Sequence, residues 1–429
     1  MILSEKQLLE VKDGFISNLL EIANDDILFE IFIRIPDCRS AILCSSVSQR
    51  CHSLISNPRF IPRFVLQHHQ NQPNYPLSYT IIFRKCEKFE FGSALNYQPI
   101  CKLFSDESMF LHGKSRKSSY LDFLPSPMVV RASCNDLLLL TPGSASSSVF
   151  YVCNPVTKQF YELPANHLLS CGISPIHLLG FALVPNPDYK CHFKVLLFHT
   201  PFHPYIKSSN TIQTVAIYCS KLAKWELKSF DYTQPRELGS YMFPTDICMC
   251  NGTLYYLESV GRGGERVLAL DLSKFQCIIV DFPNDFGWVG SQDFRERVTK
   301  HIGTVGGEVR LVQVVITKSK RCVCLKVWRL LDYSTSSWVL LHEKKYKRAP
   351  TKERFFEFFV HPVDGDKVFM VFGKHVFEYD LTKDKFEMMA AELQEPLKTD
   401  EVYPADRLLA FPMVHPAWPT QLPPTSFSV

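Results

Sequence analysis

Residues 149–164, VFYVCNPVTKQFYELP, decide how the greater part of this chain folds. An apolar run ends at Asn154, a Pro-Val-Thr turn follows, and Phe160 opens a second run six positions after the asparagine. Asn at a strand end accepts hydrogen bonds from the turn behind it, and Pro and Thr suit such a turn, so the stretch predicts an antiparallel hairpin. The pattern returns as VAIYC…KWELKSF around Cys219 and Trp225, and as VLALD…QCIIVDF around Asp271 and Cys277. VWRLLD…SWVLLHE repeats it at Asp332 and Trp338, and VFEYD…KFEMMA at Asp380 and Phe386. Successive copies lie 48–65 residues apart, and Asp271-x-Ser273 and Asp380-x-Thr382 renew the turn chemistry.

A second hairpin precedes several copies, at residues 251–256, 307–312 and 366–371. Two hairpins per copy make a four-stranded antiparallel blade, and blades of this kind arranged radially form a β-propeller. The expected blades are residues 133–164, 178–230, 245–283, 300–343 and 355–389. A sixth combines strands from 79–124 and 405–415, closing the ring and removing exposed edges. Phe160, Trp225, Trp338 and Phe386 are expected to be buried between adjacent sheets. The pattern alone leaves an irregular β-sandwich open.

Ahead of the β region stands a different texture. In residues 22–60, Asn24 suits a helix cap, with Asp25 and Asp26 at the positive end of the helix dipole. Ile27, Leu28, Ile31, Phe32 and Ile35 recur at helical spacing, and Pro36 stops the helix. Ser40 is expected to cap a second helix carrying Ala41, Ile42, Leu43 and Cys44. A third sets Val47, Cys51, Leu54 and Ile55 on one side and ends at Asn57-Pro58. A unit of this size is nearly all surface and cannot bury so much apolar area internally, so the remainder must face a partner or the rest of the chain.

The stretch resembles an F-box: Ile22, Ile27, Leu28, Glu30, Ile31, Arg34, Ile35-Pro36, Val47, Arg50, Leu54-Ile55, Pro58 and Phe60 stand where that family's pattern has its marker residues. It departs at Ala23, Ser48, Gln49 and Cys51, where the family usually has Pro, Cys, Lys and Trp. Those departures imply a weakened adaptor contact. Behind it, SCNDLLLL (133–140), FYVCNPVTKQFYELP and LLGFALVPNPDYKCHFKVLLF resemble the kelch-like F-box-associated domain of plant F-box proteins. The resemblance implies a mainly β protein: a three-helix F-box followed by a kelch-like β-propeller, of six blades by the count above. It implies docking on the Skp-type adaptor, and through it the cullin, of an SCF-type ubiquitin ligase while the propeller holds a protein target. Ile22, Ile27, Leu28, Ile31, Ile35, Pro36, Val47 and Leu54 are the expected adaptor-binding residues, and all but Ile22 are expected to divide between the module's small core and the adaptor contact. The resulting division is an N-terminal extension (1–19), the F-box (20–66), a polar, Pro-broken linker (67–78), the propeller (79–415) and a loose tail (416–429).

Composition narrows the alternatives. At 46% hydrophobic and 21% charged, the 429 residues describe a globular chain with a sizeable core. A net charge of +4 is too mild to argue for nucleic acid, and no 18-residue apolar run argues for a membrane span. Fifteen scattered Cys read as reduced core thiols of a cytoplasmic or nuclear protein. Cys248-x-Cys250 and Cys322-x-Cys324 lack a matched pair at zinc spacing, and Pro201 and Pro204 forbid a helical His199/His203 site. Gly261-Arg262-Gly263-Gly264 is expected at a hairpin tip, not a phosphate loop. The basic runs 112–117 and 344–354 read as solvated loops. No catalytic residues, metal or cofactor are expected. A scaffold detached from the ligase, or an enzyme built on the propeller, are the remaining readings.

Overall fold

The computed structural model describes residues 22–71, 79–87, 99–104, 121, 123–124, 128–142, 149–165, 178–185, 192–199, 213–232, 244–260, 264–286, 296–317, 322–346, 355–392 and 406–423. The chain divides into two compact units. One comprises Met1–Pro76 with His415–Pro419, the other Leu77–Val414 with Thr420–Val429.

The first unit carries helices α1 (Asp25–Phe32), α2 (Cys38–Ser45), α3 (Gln49–Ile55) and α4 (Phe60–Asn71). The last was not foreseen, and it runs through residues 67–71, read from sequence as the start of a linker. The second unit opens with β1 (Tyr79–Glu87) and β2 (Pro99–Phe104). Four-stranded antiparallel blades follow. The first is β3 (Met128–Cys134), β4 (Leu137–Pro142), β5 (Tyr151–Asn154) and β6 (Gln159–Glu162). The second is β7 (Leu178–Pro185), β8 (Phe193–His199), β9 (Gln213–Cys219) and β10 (Lys224–Tyr232). The third is β11 (Pro244–Cys250), β12 (Thr253–Val260), β13 (Gly264–Asp271) and β14 (Gln276–Val280). The fourth is β15 (Glu296–Val305), β16 (Glu308–Thr317), β17 (Cys322–Asp332) and β18 (Ser337–Tyr346). The fifth is β19 (Phe355–Val360), β20 (Lys367–Phe372), β21 (His375–Asp380) and β22 (Lys385–Glu392). Finally β23 (Asp406–Val414) returns to pair antiparallel with β1, Tyr79 opposite Val414.

Complete four-stranded blades therefore number five among the described residues. The sixth sheet, in the order β2-β1-β23, is three-stranded and joins both ends of the β region, as the sequence pattern anticipated. Its expected contribution from residues 105–120 lies outside the described residues. The second and third blades fuse at their rims through a short parallel contact, Asp231 opposite Gln276.

Each neighbouring pair of sheets shares apolar packing, so the core is a ring of such layers. Ile82 and Met413 meet Val130 and Leu138; Leu139 and Val152 meet Val195 and Tyr218; Leu196 and Val215 meet Leu254 and Leu268. Leu257 and Val267 meet Ile302 and Val309, and Val312 and Val327 meet Phe358 and Met370. Phe359 and Phe369 meet Tyr79 and Phe83, and the circle closes. This excludes the sandwich.

The repeated motif supplies the turn into each outer strand. The Asn154 side chain accepts from Val156 N at 2.9 Å, Asp271 from Ser273 N at 2.8 Å, Asp332 from Ser334 N at 2.9 Å and Asp380 from Thr382 N at 3.0 Å. Four residues beyond each repeat's strand-end residue the backbone turns left-handed, at Lys158, Ala223, Phe275, Ser336 and Asp384, with φ between 49° and 56°. These donors hold the Asp380 carboxyl below the usual carboxylate range, the Lys383 amide first and the Thr382 hydroxyl next. The outer strand then delivers its aromatic or apolar residue to the preceding sheet. Phe160, Trp225, Trp338 and Phe386 pack on the inter-sheet clusters but stay half-buried, because they sit on the rim strands. Two of them also bond across: Trp225 Nε1 donates to the Pro164 carbonyl at 2.9 Å, and Trp338 Nε1 to the Asp281 carbonyl at 2.8 Å.

The tail is not loose throughout. Thr420 donates from N and Oγ1 to the Asp136 carboxylate, both at 2.7 Å. Its carbonyl accepts from Asn154 Nδ2 at 2.7 Å, and Leu422 is buried in the cluster between the first and second blades. Residues 424–429 and 1–19 lie outside the described residues.

Trp338→Phe removes an inter-blade hydrogen bond and some ring area while keeping an aromatic in place. The expected cost is about 1–2 kcal/mol, read as a lower urea midpoint at unchanged m-value. An unshifted midpoint would show that the indole bond does not tie the fourth blade to the third.

Candidate docking surface

The helical unit is assembled from ordinary local chemistry. Asn24 caps α1, accepting from Ile27 N at 2.9 Å. Asp37, rather than the expected Ser40, caps α2: its carboxylate accepts from Ser40 N and Ser40 Oγ, each at 2.8 Å. Aspartate is an equally good cap, and at three residues' distance the serine becomes its donor. Ser48 caps α3 through Cys51 N at 3.1 Å. Arg50 on α3 bonds the Asp25 carboxylate and the Ala23 carbonyl at the start of α1. Arg34 and Arg63 share the Glu30 carboxylate and hold its pKa below the usual range, Arg34 first.

The interior is Leu28, Phe32, Ile33, Cys38, Ala41, Cys51, Ile55, Phe60, Phe64 and Val65, all buried. Phe60 lies edge-on to Phe29 (5.5 Å between centroids), and Trp418 stands edge-on to both Phe60 (5.7 Å) and Phe64 (5.3 Å). Residues 415–419 thus complete a module whose other members lie before residue 77. His415 is buried in the same unit, and burial pushes its imidazole down to about 4.

A second apolar row is left over outside this core. Ile22 is 83% exposed, Val47 62%, Leu43 60%, Ile27 53%, Ile42 45% and Ile31 42%. Helix α1 therefore carries two adjacent rows, 28/32 inward and 27/31 outward, where the sequence reading had merged them into one face. Of the residues expected to meet an adaptor, Ile22, Ile27, Ile31, Pro36 and Val47 are exposed and Ile35 and Leu54 half-buried. Leu28 falls on the core side of the expected division. At 1% exposed it is a core residue and supports the surface from behind. Ile42 and Leu43 join the exposed residues although the sequence pattern does not single them out; nothing in a short helix distinguishes an inward from an outward leucine before its partners are placed. Cys51, at one of the positions of departure, is itself core, with Ile55 and Phe60 buried while His52 is exposed.

Among the described residues no group of three potential metal ligands occurs. Burial, the largest cause, raises the Cys248 and Cys250 thiols above their ordinary range, and Cys250 Sγ donates to the Gly307 carbonyl at 2.9 Å, as core thiols do. Val260 pairs with Gly264, so residues 261–263 join two antiparallel strands. His203, the run 112–117 and residues 347–354 lie outside the described residues. A cavity of about 390 Å³ beside Arg266 and residues 280–286 brings no nucleophile to a base. No described helix is long and apolar enough to cross a membrane.

Comparison with known proteins bears on the β unit. The family described as F-box protein At3g26010-like, beta-propeller, matches residues 112–406. No curated protein matches the chain. Among solved structures, the Dos1 propeller is similar at 13% identity, over 66% of this chain and 67% of that one, with a TM-score of 0.31. A putative 6-phosphogluconolactonase from Bacteroides fragilis NCTC 9343 is similar at 11% identity, over 63% and 68%, with a TM-score of 0.33. Likenesses at this level bear on neither activity nor partner.

Two outcomes are expected of the helical unit. Leu28→Ala should destabilise it by about 2–5 kcal/mol, whereas Ile27→Ala, one position away, should leave its unfolding unchanged; equal effects would contradict the two-row reading. Acid should also loosen it. A histidine held neutral to about pH 4 contributes stability that is full above about 6.5 and drains as pH falls toward 4, about 3 kcal/mol in all. Hydrogen exchange of α4 at pH 7 and pH 5 reads this, and equal protection would refute it.

Proposed function

The chain belongs to the F-box protein At3g26010-like β-propeller family, and we propose that it is the substrate-recognition subunit of an SCF-type ubiquitin ligase. In this reading the helical unit docks on a Skp-type adaptor, and through it a cullin, while the propeller, of the kelch-like sort, holds a protein target. The protein supplies geometry, not covalent chemistry: it fixes the target near a ligase that acts in trans, raising the effective concentration of the acceptor.

The observation that carries the reading is the outer row of α1 and α2. A small module that already has a closed core still presents Ile22, Ile27, Ile31, Ile42, Leu43 and Val47 to solvent. Several exposed apolar side chains on one small module fit a protein interaction site. Fully burying one such side chain is worth roughly 1.5–3 kcal/mol, so a few of them suffice for a stable contact. Ile35, Pro36 and Leu54 would flank the row. The departures at Ala23 and Cys51 weigh little against docking. Cys51 is buried, and Ala23 serves through its carbonyl, so both act on the module's framework. The fifteen cysteines, scattered through the sequence, fit a chain working in the cytoplasm or nucleus.

The test is titration of the full chain with a purified Skp-type adaptor. Ile27→Ala with Leu43→Ala should weaken binding at least tenfold, or about 1.4 kcal/mol, with unfolding unaltered. Unchanged affinity in the double variant, or full binding by a variant lacking residues 22–71, would sink the assignment. Absence of binding by the wild type would favour a scaffold detached from the ligase.

A further inference from the structure

A second constellation lies on the β unit, on the strand faces that also carry Val312 and Val327 into the apolar layer between the fourth and fifth blades. Arg310 on β16 and Arg329 on β17 are direct cross-strand partners, so their side chains leave the same face of the fourth blade. One carboxylate bridges them. Glu308 Oε2 lies 2.6 Å from Arg310 Nη2, and its Oε1 lies 3.1 Å from Arg329 Nη1. Two positive charges thus meet one negative charge, and among the described residues no other carboxylate pairs with either guanidinium.

The donors are not used up. Arg310 is only 9% exposed, yet its Nε and Nη1 are buried without a hydrogen-bond partner, and so is Nε of Arg329. Buried polar groups are ordinarily satisfied, and a guanidinium has five donors to fill. Arg310 is also fixed in place. The backbone of Gly365 lies against it so closely that a Cβ there would stand 3.2 Å from Nη2. Glu308 and the Arg329 side chain are, by contrast, 41% and 36% exposed, so the constellation opens to solvent on their side.

We propose that Arg310 and Arg329 form a receptor for an oxyanion, the carboxylate or phosphate group of a peptide segment in a protein partner, with Glu308 holding its place in the free chain. The glutamate displays the geometry required: one planar oxyanion spans both guanidiniums, one oxygen to each. An incoming group approaches from the exposed side, Glu308 turns outward into solvent, and the freed and unused N–H groups receive the ligand's oxygens. No bond is made or broken. Arg310 supplies a prearranged anchor, Arg329 the accessible half, and Glu308 a tethered competitor that keeps weak anions out. The target-holding reading given above supplies only the owner of the peptide; the site itself does not depend on adaptor docking.

Calorimetric titration of the full chain with inorganic phosphate, at matched ionic strength and without adaptor, tests it. Arg329→Gln should weaken phosphate binding about tenfold, and Glu308→Gln, which removes the competitor, should tighten it at least fivefold. Circular dichroism confirms that each variant is folded, and Arg329 is chosen because Arg310 is too deeply packed for a clean substitution. Wild-type affinity in Arg329→Gln, or no gain in Glu308→Gln, overturns the receptor. Peptides alike except for one serine, glutamate or phosphoserine then separate the sources. Tighter binding of either charged peptide than of the serine peptide supports the proposal and names the group, and equal binding of all three refutes a peptide ligand.

Discussion

The β unit depends on a side chain closing a turn. In four of the five repeats an Asn or Asp at the end of the third strand accepts from the amide two residues on, and in all five the backbone passes into the left-handed region four residues after the strand-end position. That geometry sets the register of the outer strand, and the register puts Phe160, Trp225, Cys277, Trp338 or Phe386 against the sheet before it. A local bond of ordinary strength thereby determines a contact between blades. Only the second repeat, with Cys219 at the strand end, lacks a side-chain acceptor there. It retains the left-handed residue, Ala223, and the indole bond to the preceding blade.

This explains why the blades were legible in the sequence. Their signal is carried by residues whose chemistry is local: an Asx acceptor, a Ser or Thr donor, an aromatic six positions on. The closing of the ring by residues 79–87 and 406–414 was legible for another reason, since a β region with an unpaired strand at each end has one economical way to protect both. The helical unit was half legible. Cap and helix positions follow from sequence, but Ile27 and Leu28 are equivalent to a pattern of apolar spacing until α3 and α4 are placed against them. Helix α4 was hidden by its polar end, residues 67–71, and Trp418 by some 350 intervening residues. The Arg310–Glu308–Arg329 group needed the strand register, because only pairing tells that positions 310 and 329 adjoin.

The two units handle polar and apolar surplus differently. The helical unit has a complete interior and spare apolar side chains outside it, a state that is tolerable in water yet improved by a partner. The β unit has its apolar layers complete and a surplus of buried donors on one blade. Each surplus is a small free-energy deficit that a suitable partner removes, one by burying methyl groups, the other by supplying acceptor oxygens.

Pairing of β1 with β23 carries a consequence for the history of the chain. The first strand of the ring leaves the ribosome more than 300 residues before the strand that covers its edge. At about 5–20 residues per second, that interval lasts on the order of tens of seconds. Throughout it β1 and the half-built stack present open backbone to their surroundings. Synthesis of this protein is therefore a race between the arrival of its last strand and the sticking of its first, and chaperones that mask strand edges have their greatest leverage over it before translation ends.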